Sequence, residues 1–288
     1  MKLFLAGADM DYHIEPIYKA GHPSMLTSYW KHKDKFLPSW LEWYNKTRNL
    51  DWIMDSGLFT MMFGAGSDKT YTEDDLLEYT YKYLKDLKTI NYNHYIVEMD
   101  VHKVLGLESL KRFRAIFKKH YDLDKTIYVW HVEEGEKGFR QLCKNYPYIA
   151  ISVPEMRIVL KGKSNIEKTI KQLVLLANKI NPNIKIHLLG CTQQNLMEQK
   201  GYYSCDSTSW MSSVKYGTGF YFNGNKITGL NIHTNTWKSY FNKYKHMKFT
   251  RGEKDYHRNL YLCAKAYNKL NKHINNKYYN YEPLKTII

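Results

Sequence analysis

Short apolar runs recur along the chain, and most are followed by a segment with helical spacing. Lys2–Gly7 (KLFLAG) reads as a first strand and Trp52–Gly57 (WIMDSG) as a second. A helix over Glu73–Lys88 follows, with Thr72 as its N-cap and acids in the first turn. His94–Asp100 predicts the third strand and Leu107–Lys119 the next helix. Ile127–His131 is the fourth, followed by a short helix near Lys137–Lys144. Tyr148–Pro154 is the fifth, with a helix at Asn165–Ile180 behind it. Lys185–Gly190 is the sixth, followed by a helix at Gln193–Lys200, and Tyr202–Ser207 is the seventh. These runs are mostly continuous rather than alternating, as expected of parallel strands covered on both faces.

Repeated βα units imply a parallel sheet, either closed or open and doubly wound. Asp55, Asp100, His131, Ser152 and Asp206 all fall at the C-terminal ends of different strands. A barrel gathers such ends at one mouth, whereas an open sheet spreads them along an edge. The expected fold is therefore α/β, a TIM (β/α)8 barrel. Its eighth strand is assigned to Phe220–Phe222 or Ile227–Leu230. No glycine-rich dinucleotide fingerprint follows the first strand and no P-loop occurs, which argues against nucleotide-cofactor chemistry. One domain is expected over residues 1–288, without internal repeats or a long linker. Residues from about 236 to 288 are rich in Lys, Asn and Tyr and predict a basic helical extension packed on the barrel. Within it, Asp255–His273 places Leu260, Cys263, Ala264, Tyr267 and Leu270 on one face. Arg258, Lys265, Lys269 and Lys272 are expected to stay wet, as a solvated face or a phosphate-contacting one.

Composition adds a partner class. The chain has 288 residues, with 43 Lys plus Arg against 28 Asp plus Glu, a net charge of +15. Such an excess favours a polyanion, nucleic acid before an acidic membrane surface. The 26 tyrosines could supply base-stacking surfaces, although A/T-rich coding produces the same bias. Cys143, Cys191, Cys205 and Cys263 form no CxxC and match no zinc spacing, which suits a reducing compartment. His187 with Cys191 is the one close His/Cys pair, and no metal is expected. The apolar run before Asp9 is too short for a signal peptide, and no run approaches the ~20 residues of a membrane span. A soluble, cytoplasmic protein without a membrane partner is expected.

Asp55 ends an apolar strand and precedes Ser56 and Gly57; the following Leu58–Ser67, with Gly64 and Gly66, could wrap over a ligand. The alternative for Asp55 is a carboxylate that ties loop amides. Asp206, in SCDSTSW, ends the seventh strand in the same way. Of two such carboxylates, one can attack an anomeric carbon while the other handles the leaving-group proton. Asp100 adds a third, and a carboxylate suits the paired N1–H and exocyclic amine donors of guanine. His131 is either a donor to a base or an ordinary buried histidine. Ser207, Ser209, Ser212 and Ser213 lack a nucleophile elbow.

Asp55-Ser56-Gly57-Leu58-Phe59 resembles the DSGGF/DSGGY signature of tRNA-guanine transglycosylases. Leu188-Leu189-Gly190, Asn195-Leu196, Gly201 and Cys205-Asp206-Ser207 are similar to that family's block from the glycine loop to the nucleophilic aspartate, and the spacing on to Gly217 fits. Glu98-Met99-Asp100 resembles the acidic strand end that reads guanine. Tyr128–His131 and Ile149–Val153 fall where the family places its next two base-lining strands. The resemblance covers about residues 50–220. It implies a TIM barrel, a nucleic-acid substrate and a covalent aspartyl intermediate, with Asp206 as nucleophile and Asp55 as acid/base. It implies that Asp100 reads the guanine edge, helped by His131 and the backbone region of Ser152 and Gly190, that Ser56 belongs to the substrate-binding residues, and that Phe59 and Leu189 sandwich the ring.

The chain departs from the family at Leu58, Thr60 and His131, where glycine, glutamine and glutamine are common. The family's CxCxxC…His zinc site has no counterpart. This short, zinc-free form resembles the phage-type members that exchange guanine in DNA for a 7-deazaguanine, in a host cytoplasm. The expected partners are DNA, with tRNA as the alternative, and a free 7-deazaguanine base; no cofactor is implied. Other readings are a nucleoside deoxyribosyltransferase or retaining glycosidase on the same acids, or a non-catalytic nucleic-acid-binding barrel.

Overall fold

The computed structural model describes residues 1–63, 70–160, 162–191, 193–250 and 255–279. Eight parallel strands form a closed barrel in chain order: β1 (Lys2–Ala6), β2 (Ser24–Ser28), β3 (Asp51–Asp55), β4 (Tyr95–Val97), β5 (Thr126–Trp130), β6 (Tyr148–Ser152), β7 (Lys185–Leu189) and β8 (Ser204–Ser207). Helices alternate with these strands, so the fold is the expected TIM (β/α)8 barrel.

The missing strand of the sequence reading is β2, not the segments at Phe220 or Ile227. Its sequence, SMLTS, has only Met25 and Leu26 as apolar residues, yet all but its last residue are buried. Thr218–Phe222 (β9) and Ile227–Asn231 (β10) instead form a separate antiparallel hairpin. The connection is too short for the crossover that parallel strands need. Its turn is closed by Asn223, whose Oδ1 accepts from Asn225 N–H at 3.1 Å and Lys226 N–H at 2.9 Å.

The chain divides into two compact units. The first comprises Met1–Met25, Pro38–Asp51 and the chain from Gly190 onward. Here β1 pairs with β8, from Lys2 opposite Ser204 to Leu5 opposite Ser207. Helices α1 (Asp11–Lys19) and α2 (Pro38–Lys46) belong to this unit. The long C-terminal helix is its centre. Asp255–Ile274 packs on α1 and on β9 and buries Leu260, Leu262, Leu270 and Ile274. Each such side chain contributes roughly 1.5–3 kcal/mol on burial. Lys269 and Lys272 are exposed as expected, but Arg258 is not: only 4% of it is accessible. Its guanidinium lies over the Phe241 ring, donates to the Lys245 carbonyl at 3.2 Å and pairs with Asp255 at 3.4 Å. Lys265 also turns partly inward, over the Tyr244 ring.

The second unit comprises Leu26–Leu37 and Trp52–Leu189. Leu58–Phe63 is the helix α3 rather than an open loop, while Gly64, Gly66 and Ser67 lie outside the described residues. Helix α4 (Glu73–Thr89) starts at a capping box between Thr72 and Asp75, as its sequence predicts. Helix α5 (His102–His120) begins five residues before the predicted Leu107, and Gly106 (φ +82°) interrupts it. The helical periodicity is legible only beyond that break. Helices α6 (Gly135–Asn145), α7 (Val153–Val159) and α8 (Lys163–Ile180) follow β5 and β6. The helix predicted at Gln193–Lys200, in the first unit, is a single turn, α9 (Gln194–Met197). Many tyrosines serve the core: Tyr83 donates to the Met54 carbonyl at 2.8 Å, and Tyr29 to Asp86 at 2.6 Å. Among the described residues no helix is long and apolar enough to cross a membrane.

Candidate functional site

In the first unit, Asp206 is the third residue of β8 and is 8% exposed. Gly190, just past β7, has φ +62°, a conformation that favours glycine. Its N–H donates to Asp206 Oδ1 at 3.0 Å. Two motif residues far apart in the sequence therefore meet, and the backbone amide fixes one oxygen of the carboxylate.

In the second unit, Asp55 closes β3 and its Oδ1 accepts from Gly57 N–H at 2.7 Å. The loop-tying role is thus occupied, by one oxygen at least. Gly57 has φ +80°, and a Cβ there would lie 2.5 Å from Trp30 Cβ and 2.9 Å from Trp30 N. Glycine is required at this turn on both counts. Ser56 is buried and its carbonyl accepts from the Tyr79 hydroxyl at 2.8 Å. Phe59, on α3, is 75% exposed, while Leu189 closes β7 half-buried. Asp100 lies three residues beyond β4, not on it. Burial, reinforced by the carboxylates of Asp55, Glu98 and Glu155, pushes Asp100 well above the usual carboxylate range.

The side chains of Ser152 and His131 both face Glu155. Ser152 Oγ accepts from Glu155 N–H at 3.2 Å and caps α7. His131 follows β5, is 1% exposed and points its Nδ1 at Glu155 Oε2, 3.5 Å away. Burial pulls its imidazole below the ordinary value, against the pull of Glu155. His102 stacks on it, with ring centroids 3.3 Å apart. Glu98, which the family pattern groups with Asp100, is fully buried. It accepts from Arg114 Nε at 3.1 Å and from Val129 N–H at 2.8 Å. Arg114 also donates to Glu134 at 2.6 and 3.0 Å and to the Val129 carbonyl at 2.6 Å.

The sequence reading therefore missed His102, Glu155, Arg114 and Glu134. His102, Glu155 and Glu134 each lie a few residues beyond a strand end. A survey of every ionisable residue in those connections would have drawn them out. Arg114 carries no such signal, being one cation among several on α5. Compared with protein-family models and with curated proteins, the chain matches none.

Proposed function

We propose that the chain is a base-exchange glycosyltransferase that replaces guanine in DNA with a 7-deazaguanine through a covalent aspartyl-glycosyl intermediate. The observation that carries this reading is the hydrogen bond from Gly190 N–H to Asp206. It joins the two ends of the block that resembles the transglycosylase nucleophile region, and it orients a nearly buried carboxylate at a strand end.

In the reading, an Asp206 oxygen attacks C1′ as the C1′–N9 bond breaks, and guanine leaves with a proton delivered to the base by Asp55. The incoming 7-deazaguanine gives its N9 proton to Asp55 and attacks C1′, releasing the Asp206 carboxylate. Two displacements give net retention. Asp100 takes the guanine edge: its carboxylate accepts from N1–H and the exocyclic amine, two donors that favour its charged form. Phe59, exposed on α3, supplies a stacking face. The target nucleotide must leave its stack to reach a barrel mouth, and the +15 chain supplies phosphate contacts.

The test is guanine release from labelled duplex DNA, single-stranded DNA and tRNA at matched salt, with a panel of 7-deazaguanines. Asp206→Ala is expected to lower exchange by at least about 10⁴-fold while DNA binding survives. Appreciable turnover by that variant would remove Asp206 from the nucleophile role. Faster release from tRNA would move the substrate class to tRNA, and transfer between free deoxynucleosides would favour a deoxyribosyltransferase. Binding without release would leave a non-catalytic barrel.

A further inference from the structure

His102, His131 and Glu155 come from three successive connections, after β4, β5 and β6. One ligand-type atom of each lies within 4.8 Å of the others. His102 Nε2 is 3.7 Å from Glu155 Oε1, and His131 Nδ1 is 3.5 Å from Glu155 Oε2. None of these contacts is a hydrogen bond: His102 Nε2, both ring nitrogens of His131 and Glu155 Oε1 are buried without a hydrogen-bond partner, although Lys103 Nζ lies 3.6 Å from Glu155 Oε1. A buried polar group without a partner is costly, and four together are unusual in a folded protein.

The tautomer of His102 sharpens the problem. Its Nδ1 lies 3.3 Å from the Asp100 carbonyl, which can only accept, so Nδ1 carries the proton. In the neutral ring, Nε2 then presents a lone pair toward a carboxylate oxygen. Protonating both rings instead would stack two cations 3.3 Å apart. An electrophile between the three groups would engage His102 Nε2, His131 Nδ1 and the Glu155 carboxylate, three of these four positions. A carbonyl behind a ligating histidine is also the usual outer-shell partner of a metal ligand.

We propose that His102, His131 and Glu155 bind one divalent transition-metal ion, for which zinc is the best match. Zinc bonds of roughly 2.0–2.2 Å to nitrogen and oxygen put tetrahedral ligand atoms roughly 3.3–3.6 Å apart. The two histidine–carboxylate separations are 3.7 and 3.5 Å, and a rotation of the stacked rings would turn both in-plane lone pairs toward one ion. His102 supplies Nε2, His131 supplies Nδ1 and Glu155 supplies its carboxylate. Glu133 Oε2, 3.8 Å from His102 Nε2, stands on the solvent side as a fourth donor. It is paired with Lys103, which is 47% exposed and can swing into water. Two neutral imidazoles and two carboxylates balance the charge of the ion. The ion would tie three consecutive connections together, including the one that carries Asp100. This inference does not depend on the transglycosylase reading.

The test uses the full chain, stripped with a chelator and titrated with Zn²⁺ and with Co²⁺. One ion per chain is expected, with visible Co²⁺ absorption of a low-symmetry nitrogen/oxygen site. His102→Gln and Glu155→Gln are each expected to weaken binding by about 100-fold or more, with the far-ultraviolet circular dichroism unchanged. Absence of stoichiometric binding, or binding by both variants as by the wild type, would overturn the proposal. If the variants do not fold, X-ray absorption of the zinc-loaded wild type decides. Two imidazoles and oxygen in the first shell are expected. A shell without imidazole, or one with sulfur near 2.3 Å as at Cys191, would sink it.

Discussion

Two buried ionic clusters sit in the second unit, and they are finished to different degrees. In Glu98–Arg114–Glu134 every charged group has its hydrogen bonds: Arg114 donates to both carboxylates and to the Val129 carbonyl, while Glu98 also takes the Val129 N–H. In His102–His131–Glu155 the side-chain polar atoms stand 3.5 and 3.7 Å apart, and four of them are buried without a hydrogen bond. His131 belongs to both, since its backbone N–H donates to Glu134 at 3.0 Å while its ring faces Glu155. The difference separates two uses of buried charge. A cluster that closes on itself holds chain segments together, whereas one whose polar atoms keep unused bonding capacity is suited to take a ligand.

The largest effect should come from breaking the closed cluster. Arg114→Ala leaves Glu98 and Glu134 buried without their cation. It should cost about 3–5 kcal/mol in urea unfolding, because an uncompensated buried charge is far more costly than a lost surface pair. Added zinc should stabilise the wild type by roughly 2.7 kcal/mol at one hundred times its dissociation constant, and should leave the Arg114→Ala deficit in place. A deficit below about 1 kcal/mol would show that the cluster is not a structural strut, and one erased by zinc would merge the two clusters into a single site.

The contrast between these clusters also marks what sequence alone could yield. Seven barrel strands were legible because each carries a continuous apolar run, and Asp55 and Asp206 were legible because each ends one. The strand at Ser24 was not, since half-polar SMLTS is made a strand by its neighbours and not by its own pattern. The start of α5 was hidden by Gly106, which breaks the periodicity that would have extended the helix back to His102. The ionic clusters were illegible for a different reason. Their members lie on separate connections, and only barrel geometry brings them within a few ångströms. Arg258 shows the same limit: a cation on an amphipathic helix reads as wet, although an aromatic ring and a carbonyl can hold it inside.

A smaller perturbation probes how the open cluster is held. Ser152 caps the helix that carries Glu155 and accepts that residue's own N–H. Ser152→Ala should cost about 1 kcal/mol, the usual price of a lost N-cap. Because the cap fixes Glu155, zinc affinity should fall by about tenfold. Base exchange should change little by comparison. A variant of intact stability and zinc affinity that had lost most of its exchange would give the Ser152 hydroxyl a direct part in the exchange reaction.

The smallest effect is expected at the rim, where it is the most discriminating. Glu133 and Lys103 are both 47% exposed, and such pairs contribute roughly 0–1 kcal/mol. Glu133→Gln should therefore leave the stability of the zinc-free protein within about 0.5 kcal/mol of wild type in urea unfolding. If Glu133 closes the shell as a fourth donor, water can replace it, so zinc affinity should fall by no more than about tenfold. Glu155→Gln differs because its carboxylate is 12% exposed and faces both imidazoles, so nothing from solvent substitutes for it. The two variants compared by zinc titration thus rank the donors by depth. If Glu133→Gln lost as much affinity as Glu155→Gln, the ion would sit at the exposed acid. The buried histidine pair would then be left without the cation that its geometry calls for.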